Sequence, residues 1–240
     1  MSNYGLTRRR FLSGTFVAIG ALSVKYGTSN VFAAVSAPLQ DLASYQPNFF
    51  TADEWKFILS LCDRLIPSDE NGPGALETHV PVFLDKQLLT SYGLGHDWYM
   101  KGPFNSQASH LFGYQMPFNL QVLYRKGIEL TNKYTHEKYS KSFAALSNQQ
   151  RNDVISALEK GNVDFKQLGE NDLNSSFFLT RVLENVKEGY LSDPQYGGNK
   201  DMAAWKMIGF PGARASFPQW IRMHNIKYPL GPVSVKGDQA

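Results

Sequence analysis

Apolar residues return every three or four positions along five stretches of this chain, the period of a helix buried on one face. Trp55, Ile58, Leu59, Cys62, Leu65 and Ile66 make the first stripe. Thr51-Ala52-Asp53-Glu54 opens it as a capping box, in which Thr51 bonds a free N–H of the first turn and Glu54 reaches back; Pro67 stops it. A second helix is expected from about Val80 to Tyr92, with Val80, Phe83, Leu84 and Leu88 on one face. Pro117 suits the first turn of a third, where its missing N–H does no harm, and Leu120, Leu123, Tyr124, Ile128 and Thr131 follow. Tyr139 to Leu146 reads as a short helix. Ser147-Asn148-Gln149-Gln150 is a second capping box leading into Val154, Ile155 and Leu158, with Gly161 placed as the C-terminal cap. A further helix is expected over Ser176–Leu191, with Leu179, Val182, Leu183, Val186 and Tyr190 inward, and a last one over Asp201–Ile208. Nothing alternates with the period of two that a half-buried strand needs, and no repeat is visible. The fold class is therefore all-α: a single irregular helical domain with long loops.

Two stretches lack periodicity. Residues 93–116 are nevertheless aromatic, with Trp98, Tyr99, Phe104, Phe112 and Tyr114, and a loop this long is uncommon unless functional or packed on itself. Those rings serve either their own domain's core or an interface. Residues 209–240 are rich in Gly and Pro and read as irregular.

The N-terminus has a different pattern. Thr7-Arg8-Arg9-Arg10-Phe11-Leu12 precedes an uncharged run from Phe11 to Val24, 14 residues long. A membrane-spanning helix needs about 20, so the run fits the apolar region of a secretory signal. Small residues around Ala33 and Ala34 suit a signal peptidase. Arg8 and Arg9, a spacer, then Phe11 and Leu12 match the twin-arginine export pattern, a route for proteins already folded around a cofactor. The chain thus divides into a twin-arginine signal peptide (1–33), an extended lead-in (34–50), a helical domain (51–215) and an irregular C-terminal extension (216–240).

That division changes the meaning of the charge. The formal net charge is +3, from 24 Lys and Arg against 21 Asp and Glu. Residues 1–33 hold Arg8, Arg9, Arg10 and Lys25 and no acid, so the remainder carries 20 basic against 21 acidic residues. The remaining bases are scattered and form no nucleic-acid footprint; Lys133, Lys138 and Lys141 around Tyr134 and Tyr139 read as a solvated helical face.

Candidate chemistry is sparse. One cysteine, Cys62, cannot form an internal disulfide or supply a C-x-x-C-H haem attachment, and its place in an apolar stripe reads as core. There is no G-x-G-x-x-G, no P-loop and no H-E-x-x-H. The five histidines, His79, His96, His110, His136 and His224, show no metal-ligand spacing and read as surface or loop residues. No catalytic, cofactor-binding or metal-binding residue is assigned.

The most distinctive segment runs from Gly189 to Gly212. Asp193-Pro194 opens a turn, Gly197-Gly198 permits positive φ or close backbone approach, and Asn199 or Asp201 can cap the helix that carries Trp205. Gly209-Phe210-Pro211-Gly212 ends it. By residue chemistry alone this is either a tight helix–loop–helix closing the core or a ligand site.

Asp193-Pro194-x-Tyr196-Gly197-Gly198-Asn199, Trp205 and Gly209-Phe210-Pro211-Gly212 together resemble the gluconate 2-dehydrogenase subunit 3 family, the small subunit of membrane-bound FAD-dependent gluconate-type dehydrogenases. Asp63-Arg64-Leu65-Ile66-Pro67 with Gly72-Pro73-Gly74-Ala75, Trp98-Tyr99 with Gly102-Pro103-Phe104, and Gly113-Tyr114-Gln115 agree in order, as does the leader. The resemblance implies a complex at the outer face of the cytoplasmic membrane, in the periplasm. An FAD-containing large subunit oxidises the substrate and a multihaem cytochrome c takes the electrons. The small subunit carries no cofactor of its own; it binds the flavoprotein and takes it through the twin-arginine translocase. Substrates within the family include gluconate and related sugars, with gluconate the closest in overall similarity. Trp98, Tyr99, Phe104, Tyr196, Gly197, Gly198, Asn199, Trp205 and Phe210 are the candidate partner interface. Two other readings remain open here: an independent periplasmic enzyme with a site assembled across the fold, and a subunit lending residues to the flavoprotein's active site.

Overall fold

A computed structural model describes residues 42–240 except 106, 107 and 227; the export signal Arg8, Arg9, Phe11 and Leu12 and the expected cleavage region lie outside the described residues. Seven helices and no strand are present among the described residues. Residues 41–240 form one compact unit.

Helix α1 spans Ala52–Leu65 and begins as expected. Thr51 Oγ1 accepts from Glu54 N–H at 3.3 Å, and Glu54 Oε2 accepts from Thr51 N–H at 2.8 Å. Trp55, Phe57, Ile58, Leu61 and Cys62 are its buried face, each large apolar side chain contributing about 1.5–3 kcal/mol of burial. The second helix is shorter than its pattern predicts: α2 covers Val80–Leu88, and α3, Ser91–Leu94, is a separate turn. The reason is local. A continuous helix needs the Gln87 carbonyl for Ser91 N–H, but Thr90 takes it with its own N–H at 3.1 Å and its hydroxyl at 2.7 Å.

Helix α4 spans Leu120–Tyr139. Pro117 does not sit in its first turn: Asn119 is the N-cap, its Oδ1 accepting from Val122 N–H at 3.0 Å, so the amide side chain outcompetes the proline as the start. The helix runs on to Tyr139, and the helix expected over 139–146 reduces to a 3₁₀ turn at Phe143–Ala145 after Ser140 turns left-handed (φ 55°). Helix α5, Asn148–Glu159, carries the second capping box, and Gly161 follows it at φ 70°. Helix α6 spans Ser175–Leu191 and α7 spans Ala203–Ile208.

Helix α6 lies at the centre, packed against α1, α2, α4, α5 and α7. Gly127 on α4 lets the ring of Phe178 on α6 lie directly on its backbone; any Cβ there would overlap the ring. Tyr124 then meets Phe178 edge-on, ring centroids 6.4 Å apart, and Phe57 packs on Phe143 at 4.8 Å.

The end of the expected lead-in is part of this core. Tyr45, Phe49 and Phe50 are buried, and all turn about the carboxylate of Asp85 on α2, which is wholly enclosed. Asp85 accepts from Tyr45 Oη at 2.8 Å and from the N–H groups of Asn48, Phe49 and Phe50 at 2.8, 2.9 and 3.1 Å. Backbone amides that would otherwise be orphaned by burial are thereby satisfied by one carboxylate. Tyr45–Phe50 is thereby bound to the helical body.

Candidate partner interface

The Gly189–Gly212 segment is a self-stapled turn at the C-terminal end of α6. Asp193 lies outside the α region (φ −65°, ψ 137°) and its Oδ1 accepts from Gln195 N–H at 3.1 Å. Gly197 takes φ 102°. Gly198 presses on the Gly189 carbonyl so closely that a side chain would overlap it. Asn199 is fully buried in a left-handed conformation (φ 45°). Its Nδ2 donates to the Ser192 carbonyl at 3.0 Å and its Oδ1 accepts from Ala204 N–H at 2.9 Å. One amide thus joins the last turn of α6 to the first turn of α7. Trp205 adds a second staple, its indole N–H donating to the Leu191 carbonyl at 2.8 Å, and its ring meets Phe210 edge-on at 5.1 Å. The expected helix from Asp201 divides here: Lys200–Met202 is a 3₁₀ turn with Asp201 and Met202 left-handed, and α7 proper starts at Ala203.

With the polar groups of Asp193, Asn199 and Trp205 occupied by the chain itself, the outward side chains are a set of apolar ones beside the charged Asp201 and Lys206. Leu191, Tyr196, Met207, Ile208 and Phe210 are exposed, Tyr196 and Ile208 at 54% each. Single exposed apolar residues need no explanation, but a concentration on one turn and one short helix marks a contact surface.

The aromatic loop lies elsewhere. Trp98 is half-buried, edge-on to Tyr92 (5.6 Å) and Tyr114 (4.6 Å), with the Arg181 guanidinium 5.2 Å from its ring centre. Arg181 is ten residues before Leu191 on α6, so the two regions stand about 15 Å apart along the helix axis at 1.5 Å per residue. Tyr99 and Phe104 pair with each other at 6.3 Å, Tyr99 donates to the Gly102 carbonyl, and Tyr99 stays half exposed. Leu111 and Phe112, 83% and 74% exposed, are the most exposed apolar side chains of the loop. Of the candidate residues Gly197, Gly198, Asn199 and Trp205 are buried and Trp98 and Phe104 half-buried, so only Tyr99, Tyr196 and Phe210 are exposed, and they fall in two regions rather than one site.

Under the loop, Asn185 accepts from Tyr124 Oη at 3.0 Å and donates to Tyr92 Oη at 2.6 Å and Glu188 Oε2 at 2.8 Å. Burial pushes the Tyr92, Tyr114 and Tyr124 phenols up, so they stay neutral, Tyr124 donating to Asn185 and Tyr92 accepting from it. Cys62 is enclosed and burial raises its thiol too, the opposite of nucleophile activation. His79 departs from the surface reading: it is buried at the N-cap of α2 in a left-handed conformation (φ 58°), because its backbone carbonyl starts the helix for Val82 and Phe83. His96, His136 and His224 are exposed. Among the described residues no group of three or more His, Cys, Asp or Glu is placed to hold a metal ion. An open groove of about 540 Å³ is lined by Asp53, Lys56, Asn132, His136 and Ser142, away from every residue of both regions.

Residues 52–212 match the family described as gluconate 2-dehydrogenase subunit 3. The chain belongs to that family. The match begins at the first residue of α1 and ends at Gly212, so it takes in both regions. It identifies the chain as a subunit of a dehydrogenase, an oxidoreductase complex. No curated protein and no solved structure matches it.

Two features of this family member escaped the pattern of the sequence. Asp85 is the one acid of its helix and sits at the helical spacing of the buried Leu88 and Val82; an acid on that apolar face was the available signal. Leu111 lies in a stretch without periodicity, and nothing local distinguishes it.

Proposed function

We propose that the chain is the non-catalytic small subunit of a periplasmic gluconate 2-dehydrogenase complex, which binds and stabilises an FAD-containing large subunit and carries it through twin-arginine export. The large subunit would oxidise gluconate to 2-ketogluconate and pass electrons to a multihaem cytochrome c and on to quinone. The observation that carries this reading is the turn at Asp193–Asn199. Its polar side chains are consumed in bracing α6 against α7, while apolar side chains face outward. A catalytic cleft needs the reverse, polar groups free to reach a substrate inside an apolar pocket. A rigid apolar surface is what a permanent partner buries.

The Asp85 knot supports the escort role. It fixes Tyr45–Phe50, the last residues of the expected lead-in, to the body by four hydrogen bonds. Co-expression with the flavoprotein and isolation through a tag on this chain tests the proposal. The expected product has a flavin spectrum and oxidises gluconate, while the chain alone does neither. Isolation of this chain without flavin, under conditions where the flavoprotein is made, contradicts the proposal.

A further inference from the structure

The family match ends at Gly212, and the stretch beyond it has its own chemistry. Residues 214–232 form a loop closed at its base. Ala213 N–H donates to the Val233 carbonyl at 2.7 Å, Val233 N–H to the Pro211 carbonyl at 3.2 Å, and Val235 N–H to Asp193 Oδ2 at 2.7 Å. The loop cannot swing away from the stapled turn without losing these bonds. Inside it, Phe217 and Trp220 meet Tyr228 edge-on at 5.6 and 5.2 Å, with the Arg214 guanidinium 5.5 Å from the Tyr228 ring centre. Successive tight turns at Trp220 and Met223 then throw the next apolar side chains outward. Ile221, Met223, Ile226, Leu230 and Val235 are all exposed, Ile221 at 73%. The cations Arg222 and Lys236 are exposed among them, and Asp238 is the one acid after residue 212. Two donors, Arg214 Nε and Trp220 Nε1, are enclosed with no acceptor.

Protruding aliphatic side chains, an amphipathic ring cluster and cations with almost no acid are the composition of a segment that lies in a bilayer interface. A protein partner buries a shaped, packed face; Ile221, Met223 and Ile226 stand on and between turns rather than along one helix face. A bilayer requires only depth and charge. No helix among the described residues is long and apolar enough to cross a membrane, so the contact is peripheral. We propose that the loop between Gly212 and Val233, together with the turn at Val235–Lys236 that follows it, docks on an anionic lipid surface. Ile221, Met223 and Ile226 enter the headgroup–acyl boundary, and Arg222 and Lys236 meet lipid phosphates. The inference goes beyond the escort reading and stands without it.

The test uses the chain without residues 1–33, because the apolar, basic leader would itself bind lipid; the compact unit of residues 41–240 stays whole. Sedimentation is measured with phosphatidylcholine vesicles, with and without phosphatidylglycerol. Two variants, Ile221→Ser with Ile226→Ser and Arg222→Gln with Lys236→Gln, are compared after circular dichroism and melting confirm an unchanged fold. The expected result is binding to phosphatidylglycerol vesicles alone, weakened by salt and about tenfold by either double change. Absence of binding to those vesicles, equal binding to pure phosphatidylcholine, or binding unaffected by both variants overturns the proposal. So does a serine variant that keeps its lipid binding but loses the flavoprotein, which would make the loop a protein contact.

Discussion

Asp85 shows what one side chain can hold. It is wholly buried and accepts from one phenol and three backbone N–H groups, all contributed by a segment about 40 residues earlier. Asp85→Ala would leave those donors buried without an acceptor, and we expect a loss of about 3–5 kcal/mol, the range for breaking a buried charged network. Urea unfolding measures it, and release of Tyr45–Phe50 should appear as early proteolysis there. Glu170 gives a pH dependence. Burial opposes its ionisation, but the hydrogen bonds and charge of Lys126 with the N–H groups of Asp172 and Leu173 outweigh it, and its pKa falls below the ordinary value. A depressed folded pKa means stability present above the unfolded value of about 4.3 and lost as pH falls through the folded one. Melting temperature should therefore decline on acidification below that point, and less steeply in Glu170→Gln; equal slopes would contradict the assignment.

At the scale of elements, both helices that open on a capping box, α1 and α5, start where their residues place them. The rule works because the box is closed within four residues. Thr51→Ala and Ser147→Ala should each cost about 1 kcal/mol, additively in the double variant since the caps share no partner. The helix starts and ends that were misplaced failed through competition between neighbours. Thr90 claims the carbonyl that would have continued α2, and Asn119 caps α4 where Pro117 was a weaker signal. The turns at Asp193-Pro194 and Gly197-Gly198 were legible, because Pro fixes φ and Gly admits the positive φ needed there, but the left-handed Asp201 and Met202 that delay α7 to Ala203 were not. The aromatic loop was not. Whether Trp98 faces in or out is decided by Tyr92, Tyr114 and Arg181, which are distant in sequence or on another helix. Trp98→Ala should thus lower stability by about 3–5 kcal/mol. The affinity loss, about 2 kcal/mol for a buried anchor, belongs instead to outward side chains such as Phe112 or Phe210. Melting and flavoprotein titration of the single variants separate the two roles.

For the whole molecule, family membership and architecture agree. A gluconate 2-dehydrogenase subunit 3 chain presents exposed apolar side chains in two regions, and the Asp85 knot ties Tyr45–Phe50 to the helical body. The central claim is that this chain delivers a partner. Its most direct test is the cellular location of the FAD-containing large subunit when Arg8 and Arg9 are both changed to Lys. The account predicts that the large subunit stays in the cytoplasm with this chain, and that periplasmic gluconate oxidation disappears. A large subunit found in the periplasm of that strain in normal amount would contradict it.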